Sequence, residues 1–379
     1  MADVVIAGAG IGGLTAALTL NARGIDATVI DSARELTALG VGINLLPHAV
    51  RELAALGLVD DLARVAMAPD AICFYRCDGE LLFREPRGLA GGYAWPQYSV
   101  HRGELQMLLL SAVLDRLGPD AVRTGARLTG FTSTGDGVTA HTERGDIAAQ
   151  VLVGADGVHS AVRARLHPEG DLLMWSGVRM FRGATRAAAF LDGRTMAIVK
   201  GADGVDLVVY PIGGGLINWV VQLPESAPGP LPGDAQWNAP ADRDTVLALV
   251  ANWRLDWLDA VGLVRDSEAV FEYPMVDRDV LPWWGLDRVT LLGDAAHPMY
   301  PVGANGGSQA ILDARVLADE LSTGRGLRTY EANRRQATAE IIAANREMHA
   351  SGTAVQQSAD LADIAHTYRA RTGADRSTA

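Results

Sequence analysis

The chain has 379 residues, enough for one large or two modest domains, and its 49% hydrophobic content allows a substantial buried core. A net charge of −12 removes the electrostatic attraction that nucleic acid offers to basic proteins, so no nucleic-acid partner is expected. No apolar run reaches the roughly 18 residues of a spanning helix, and the N-terminus lacks a basic start and a small-residue cleavage site, so no membrane span and a cytoplasmic location are expected.

The first element is a short apolar strand, Val4 to Ala7, that enters GAGIGG. A helical pattern with Leu14, Ala17, Leu18 and Leu20 follows, and a second strand ends at Asp31. Gly8, Gly10 and Gly13 fit G-x-G-x-x-G: the first permits a tight turn, the second lets the backbone approach a pyrophosphate, and the third lets the helix pack on the strand. The helix start offers unpaired amides and partial positive charge to phosphates. Asp31, 18 residues past Gly13, is placed to accept hydrogen bonds from ribose hydroxyls. Strand, helix and acid together make a dinucleotide fingerprint, which an ordinary glycine turn would not explain.

A loop with Gly40, Val41 and Gly42 comes next, and a helix follows in which Ala49, Leu53 and Leu56 recur. Such a loop either runs along the flat part of a ligand or is a plain connector. Between Ala71 and Arg84 two strand-like runs flank the turn signal CDGE. Cys73 and Cys77 miss the C-x-x-C spacing and offer too few ligands for zinc, so no metal is expected. SVHRGELQ then brings Arg102 to a helix start, where a cation is unfavourable unless an anion lies beside it. Arg102 therefore reads as a pyrophosphate clamp or as a surface residue.

In VLVGADGVHSAVRARL a buried strand, Val151 to Val153, leads to Asp156 and Gly157 before a short helix. Asp156 either orients backbone or ribose groups near the phosphates or simply caps the helix. From about 169 to 285 strand-like runs alternate with glycine turns and most of the tryptophans gather, which predicts an antiparallel sheet. Gly213-Gly214-Gly215 lies between two strands and reads as a hairpin loop. The single lysine, Lys200, leaves no G-K-[ST] and hence no Walker-type phosphate loop.

RVTLLGDAAHPMYPVGANGGSQAILD gives a strand ending at Gly293-Asp294, a long proline- and glycine-rich loop, and a helix that starts near Gly306. That start again offers amides to an anion or a polarised ring. Asp294 is placed to accept from hydroxyls of a sugar chain, and His297 reads as fixing the loop rather than as a base. A charged helix, Leu327 to His349, packs outside.

Taken together, GAGIGG, VGADGVHSAVR and LLGDAAHPMYPVGANGG resemble the class A flavin monooxygenases, the aromatic hydroxylases similar to p-hydroxybenzoate and salicylate hydroxylase. The likeness covers nearly the whole chain. LGVGIN, PQYSVHRGELQM, YPMVDRD and MYPVGANGGSQAILD resemble in particular the phenazine-modifying members, the 5-methylphenazine-1-carboxylate 1-monooxygenases. The resemblance implies an α/β fold: a Rossmann-like FAD-binding domain with a second, antiparallel-sheet substrate domain, as in the p-hydroxybenzoate hydroxylase-like fold. It implies a discontinuous FAD-binding domain from 1–70, 98–168 and 286–350, a substrate domain from 71–97 and 169–285, and a C-terminal helix and tail from 351–379.

Carried over by residue, the resemblance implies FAD in an extended pose. Gly8, Gly10, Gly13 and Leu14 would serve the pyrophosphate, Asp31 and Ser32 the adenosine ribose, and Val41 and Gly42 the flat ring. Arg102 would lie near the phosphates and Asp294 on the ribityl chain, and Asp156 and Gly157 would match the family's Asp-Gly motif, which serves FAD and the transient nicotinamide. Pro301, Gly303, Asn305 and Gly306 would line the reacting edge. NADH or NADPH would bind in passing and reduce the flavin; O2 would then add at its C4a carbon, and one oxygen atom would pass to a small aromatic or heteroaromatic substrate. Decarboxylative hydroxylation, epoxidation, dehydrogenation and a non-catalytic flavin sensor stay open as alternatives.

Three departures stand out. Asp31-Ser32 occupies the place where many members carry Glu-Arg, Met180-Phe181-Arg182-Gly183 has phenylalanine where W-R-G has tryptophan, and His48 follows Pro47 where asparagine is common. Tyr210 and His48 are candidates for the proton of a substrate hydroxyl, against a core aromatic and a helix-start surface residue. Met180, Arg182 and Trp219 are candidates for the substrate pocket. Arg182 or Arg179 can pair with a carboxylate, but on alternating sheet faces 180 and 182 share one side and 179 lies on the other.

Overall fold

The computed structural model describes residues 2–352 apart from 171, 202, 234, 237 and 238, so nearly all of the tail expected at 351–379 lies outside the described residues. β1 (Ala2–Ala7) carries Val4, Val5 and Ile6, all buried, as a strand covered on both faces requires. It leads into α1 (Ile11–Asn21), which is buried over most of its surface, and β2 (Ala27–Ile30) returns parallel to β1. β3 (Gly42–Leu45) pairs antiparallel with β4 (Tyr98–His101), and β4 runs directly into α2 (Arg102–Leu117).

β5 (Gly145–Gly154) has two partners along its length. Its first half is antiparallel to residues 137–142, and its second half lies parallel to β1, with Ala7 opposite Gly154. The strand Val289–Leu291 continues the parallel set, with Leu291 opposite Gly154. Three chains therefore leave the sheet side by side at its C-terminal edge, through Gly8, Ala155 and Gly293, and open α/β sheets bind ligands at that edge. The loop after β5 enters α3 (Ala161–Leu166).

The second sheet is centred on β6 (Met174–Arg186), β7 (Asp206–Pro211), β8 (Leu216–Pro224) and β9 (Phe271–Asp277), in the spatial order β9-β6-β8-β7. Residues 195–200, 71–76 and 81–86 extend it beyond β7. It is antiparallel except between 195–200 and 71–76, which run parallel. One face buries Phe181, Trp219, Val209 and Val221 under the helices Arg243–Val250 and Ala260–Arg265. The other face, with Met180, Arg182 and Tyr210, looks toward the first sheet. The β7–β8 connection is the glycine triplet, whose three residues all have positive φ.

α4 (Asn305–Ser322) and α5 (Gly326–Gly352) complete the described fold. Among the bonds that tie α5 to the rest of the fold, Arg334 bonds Asp313 of α4 at 2.6 Å, and Arg346 bonds Asp277 of β9 at 2.7 and 2.8 Å. Among the described residues no helix is long and apolar enough to cross a membrane.

Candidate active site

A cavity of about 800 Å3 lies between the two layers. At one end are the glycines of the first loop, which perform three different tasks. Gly8 has φ +110°, and a Cβ there would sit 2.3 Å from the Ala155 carbonyl oxygen, so the turn and the close approach both demand glycine. Gly10 lines the cavity and has nothing within 4 Å of its absent Cβ. Gly13 abuts the Gly8 carbonyl, where a Cβ would fall at 1.9 Å; it serves helix packing and does not reach the cavity.

Leu14 is a correction to the expected ligand set. Its side chain is in the core and its amide donates to Gly10 O at 3.0 Å, so only the earlier amides of the helix start remain for a ligand. Asp31 faces the cavity with Ser32 and accepts from Ala9 N at 2.7 Å and Ala33 N at 2.8 Å. A carboxylate has about four lone-pair positions, so capacity remains for ribose hydroxyls.

Further along, Arg102 and Asp294 act on each other across the cavity. Burial lowers the Arg102 pKa while Asp294 opposes that shift. Burial raises the Asp294 pKa, and His297 and Arg102 pull it back. Asp294 is surrounded by protein yet solvent-accessible, because the space it faces is the cavity itself. Val41 and Gly42 line the same stretch, and Gly42 N donates to Asn218 Oδ1 at 2.6 Å.

Asp156 and Gly157 also line the cavity, but the Asp156 carboxylate is committed to a cap. It accepts from Ala161 N at 2.7 Å, Val162 N at 3.3 Å and the Ser160 hydroxyl. Gln106, which sequence reasoning missed, stands one helical turn after Arg102 and donates to Ala9 O at 2.8 Å. Its i, i+4 spacing from Arg102 was the available signal.

The far end of the cavity is walled by Met180, Arg182, Tyr210, Phe271, Tyr273 and Val276. The Arg182 guanidinium lies 5.1 Å from the centre of the Tyr273 ring, and burial lowers its pKa to about 10. Burial raises the Tyr210 phenol well above its ordinary range, against the pull of Arg182 and of the nearby Asn44 side chain. Arg179 points the other way, to Glu225 at 2.7 Å and Glu272 at 3.1 Å. Pro301, Asn305 and Gly306 close this part, at the start of α4. Gly303 and Ala304, both left-handed at φ +70° and +60°, turn the chain into that helix; Ala304 lines the cavity and Gly303 does not.

Two further candidates lie elsewhere. Trp219 is fully buried on the opposite face of the second sheet, where its indole donates to Thr185 Oγ1 at 3.0 Å. Its partner across β6 is Gly183, one residue out of phase with Arg182. His48 sits at the start of the helix Pro47–Ala55 and does not line the cavity; burial, Arg334 and Arg51 lower its pKa to about 4. The sequence also gave no hint of Asn44 or Tyr273, because cross-strand neighbours cannot be read from spacing.

Behind the Gly293-Asp294 turn lies a buried ion network. Asp313 accepts from Gly293 N at 2.9 Å, from the His297 ring at 2.6 Å and from Arg334 Nε at 2.6 Å. Burial pushes the Asp313 carboxyl up, but His297 and Arg334 overcome it and hold it at about 2. His297 thus fixes the loop. Among the described residues no cluster of His, Cys, Asp and Glu is arranged to hold a metal.

Residues 1–345 match the FAD binding domain family. The chain is 48% identical to phenazine 1,6-dicarboxylic acid hydroxylase of Lysobacter antibioticus, over 97% of this chain and 96% of that protein. It is 34% identical to 3-hydroxybenzoate 6-hydroxylase 1 of Aquipseudomonas alcaligenes, over 84% and 80% of the two chains. The structure of Klebsiella pneumoniae HpxO complexed with FAD and uric acid superposes with a TM-score of 0.80 at 26% identity, over 98% of this chain and 94% of that one. A cradle left open at Gly10, helix-start amides and a carboxylate with spare acceptor capacity fit a dinucleotide. The chain belongs to the FAD binding domain family, among its aromatic-ring hydroxylases and monooxygenases, and FAD is its cofactor.

Proposed function

We propose that this chain is an FAD-dependent monooxygenase that consumes NAD(P)H and O2 to hydroxylate a planar, carboxylated fused-ring aromatic of the phenazine class. The observation that carries the proposal is one continuous cavity, reaching from Gly10 and Asp31 past Arg102 and Asp294 to Arg182, Tyr210 and Tyr273. In this reading 1–70, 98–168 and 286–350 form the cofactor unit, and 71–97 with 169–285 form the substrate unit.

The helix-start amides of α1 and Arg102 would hold the pyrophosphate, Asp31 the ribose, and Asp294 the ribityl chain. Asn305 and Gly306 would meet the ring edge. When bound, FAD supplies electron storage and oxygen activation. The protein's own task is to hold the substrate at that edge and to exclude water. Met180, Phe271 and Val276 offer apolar surface to fused rings, and Arg182 offers a cation to a carboxylate. Tyr210 keeps its proton at neutral pH because burial raises its pKa, so it acts as a hydrogen-bond donor and not as a base. The relative that acts on phenazine 1,6-dicarboxylic acid supports this substrate class.

The test is anaerobic reduction of the bound flavin by NADH or NADPH, with and without phenazine-1-carboxylate, phenazine-1,6-dicarboxylate, 3-hydroxybenzoate and salicylate. A phenazine carboxylate should speed reduction strongly, and the aerobic product should be heavier by one oxygen atom. A product that has lost CO2 would assign decarboxylative hydroxylation instead. Protein that takes up no FAD, or whose reduction no phenazine accelerates, sinks the proposal.

A further inference from the structure

The glycine loop that lines the cavity at Gly40, Val41 and Gly42 is held from two sides. Val41 O accepts from Arg102 N at 2.9 Å, and Gly42 N donates to Asn218 Oδ1, on the second sheet, at 2.6 Å. A backbone amide only donates, so the Asn218 atom that it meets is the oxygen. A Cβ on Gly42 would fall 2.7 Å from Asn218 Cβ and Cγ and 2.8 Å from Ile212 Cγ2, so glycine is what lets β3 come this near to β8. Asn218 is fully buried, and among the described residues its Nδ2 meets no acceptor. Half of a buried amide without a partner is a cost that an apolar side chain of the same size would avoid. Val220 stands on the same face of β8, and packing alone would accept such a residue at 218 too. What an apolar residue cannot supply is the acceptor for Gly42 N. Asn218 also lies in register with Tyr210 of β7 and with Ala184 of β6, two residues from Arg182, so the side chain that holds the loop is rooted in the strands that wall the substrate end.

We propose that Asn218 is a positioning residue for the flavin, holding the loop of Gly40 to Gly42 from the substrate sheet so that the ring beside this loop keeps its reacting edge toward the Arg182 end. The inference rests on the extended FAD pose, in which Val41 and Gly42 meet the flat ring, and not on the choice of aromatic substrate. Asn218 itself does not line the cavity, so its effect on the flavin passes through the Gly42 main chain.

The experiment compares the FAD-loaded wild type with N218L, which keeps the size and removes the acceptor, and with N218D, which keeps an acceptor oxygen. FAD retention is read from the flavin fluorescence released on dilution, and the state of the loop from hydrogen exchange of the peptide that contains Gly42. With saturating phenazine-1-carboxylate, the third quantity is the fraction of NAD(P)H oxidised that appears as hydrogen peroxide, both electrons and two protons then reaching O2 without oxygen transfer. N218L should hold FAD about ten-fold less tightly, the loss of one hydrogen bond. It should also exchange the Gly42 amide faster and raise the peroxide fraction several-fold, while its dissociation constant for phenazine-1-carboxylate stays within about two-fold of wild type. N218D should lie closer to wild type than to N218L in all three. A residue that only supports the fold would weaken flavin and phenazine binding alike, and that result overturns the inference. So does an N218L enzyme that retains FAD and couples as wild type does. Should N218L not fold, N218A takes its place, and failure of both to fold assigns Asn218 to folding alone. Wild type that holds FAD but ignores the phenazine overturns the substrate reading only, and FAD retention and Gly42 exchange then decide this inference.

Discussion

Arg182 stands at the far end of the cavity with the face of Tyr273 5.1 Å from its guanidinium, and in the proposed reading that cation receives the substrate carboxylate. Replacing it with methionine should raise the KM for a phenazine carboxylate by about ten- to a hundred-fold, the worth of a hydrogen bond to a charged group, as steady-state kinetics would show. Burial lowers its pKa to about 10, still far above neutral, so the guanidinium stays charged throughout the pH range in which the enzyme would be assayed. Trp219 gives the opposite expectation. Trp219→Phe should cost roughly 1–3 kcal/mol in urea denaturation, through lost packing and the bond to Thr185, and leave KM unchanged. The split between Arg179 and Arg182 was legible because one strand fixes its own alternation. The phase of β8 against β6 was not, since only the pairing of Gly183 with Trp219 reveals it.

At the scale of elements, the loops that leave β1, β5 and the strand Val289–Leu291 were readable from sequence because their work is local. Glycines, an acid at a strand end and a helix start within one stretch can be judged without knowing the fold. Their separate tasks allow a contrast. Gly8→Ala meets the Ala155 carbonyl in a left-handed conformation and should lower the melting temperature sharply, whereas Gly10→Val should fold and lose FAD, as flavin content and melting would record. The support behind Asp294 was illegible, because Asp313 and Arg334 reach Gly293 and His297 from other helices. Asp313→Asn leaves Arg334 buried without its counter-charge and should destabilise by roughly 3–5 kcal/mol in chemical denaturation. The folded pKa of about 2 is below the ordinary 3.8, so this support is complete above 3.8 and is lost as pH falls through about 2. The acid limb of the stability profile should shrink in the variant.

For the whole molecule, α5 bonds to both layers, through Arg334 to Asp313 of α4 and through Arg346 to Asp277 of β9. The two arginines are twelve residues apart, about 18 Å along a helix, so one helix ties α4 and the second sheet at two points of fixed separation. The cavity between the layers is large, and a residue as polar as Asp294 faces it. A chain built around such a hollow gains folding free energy by mass action when the hollow is filled, about 4 kcal/mol at a thousand-fold excess of ligand over its dissociation constant. Flavin supply would then set how much of the newly made chain survives proteolysis, and a cell short of riboflavin would lose this enzyme by degradation before it lost it by idleness.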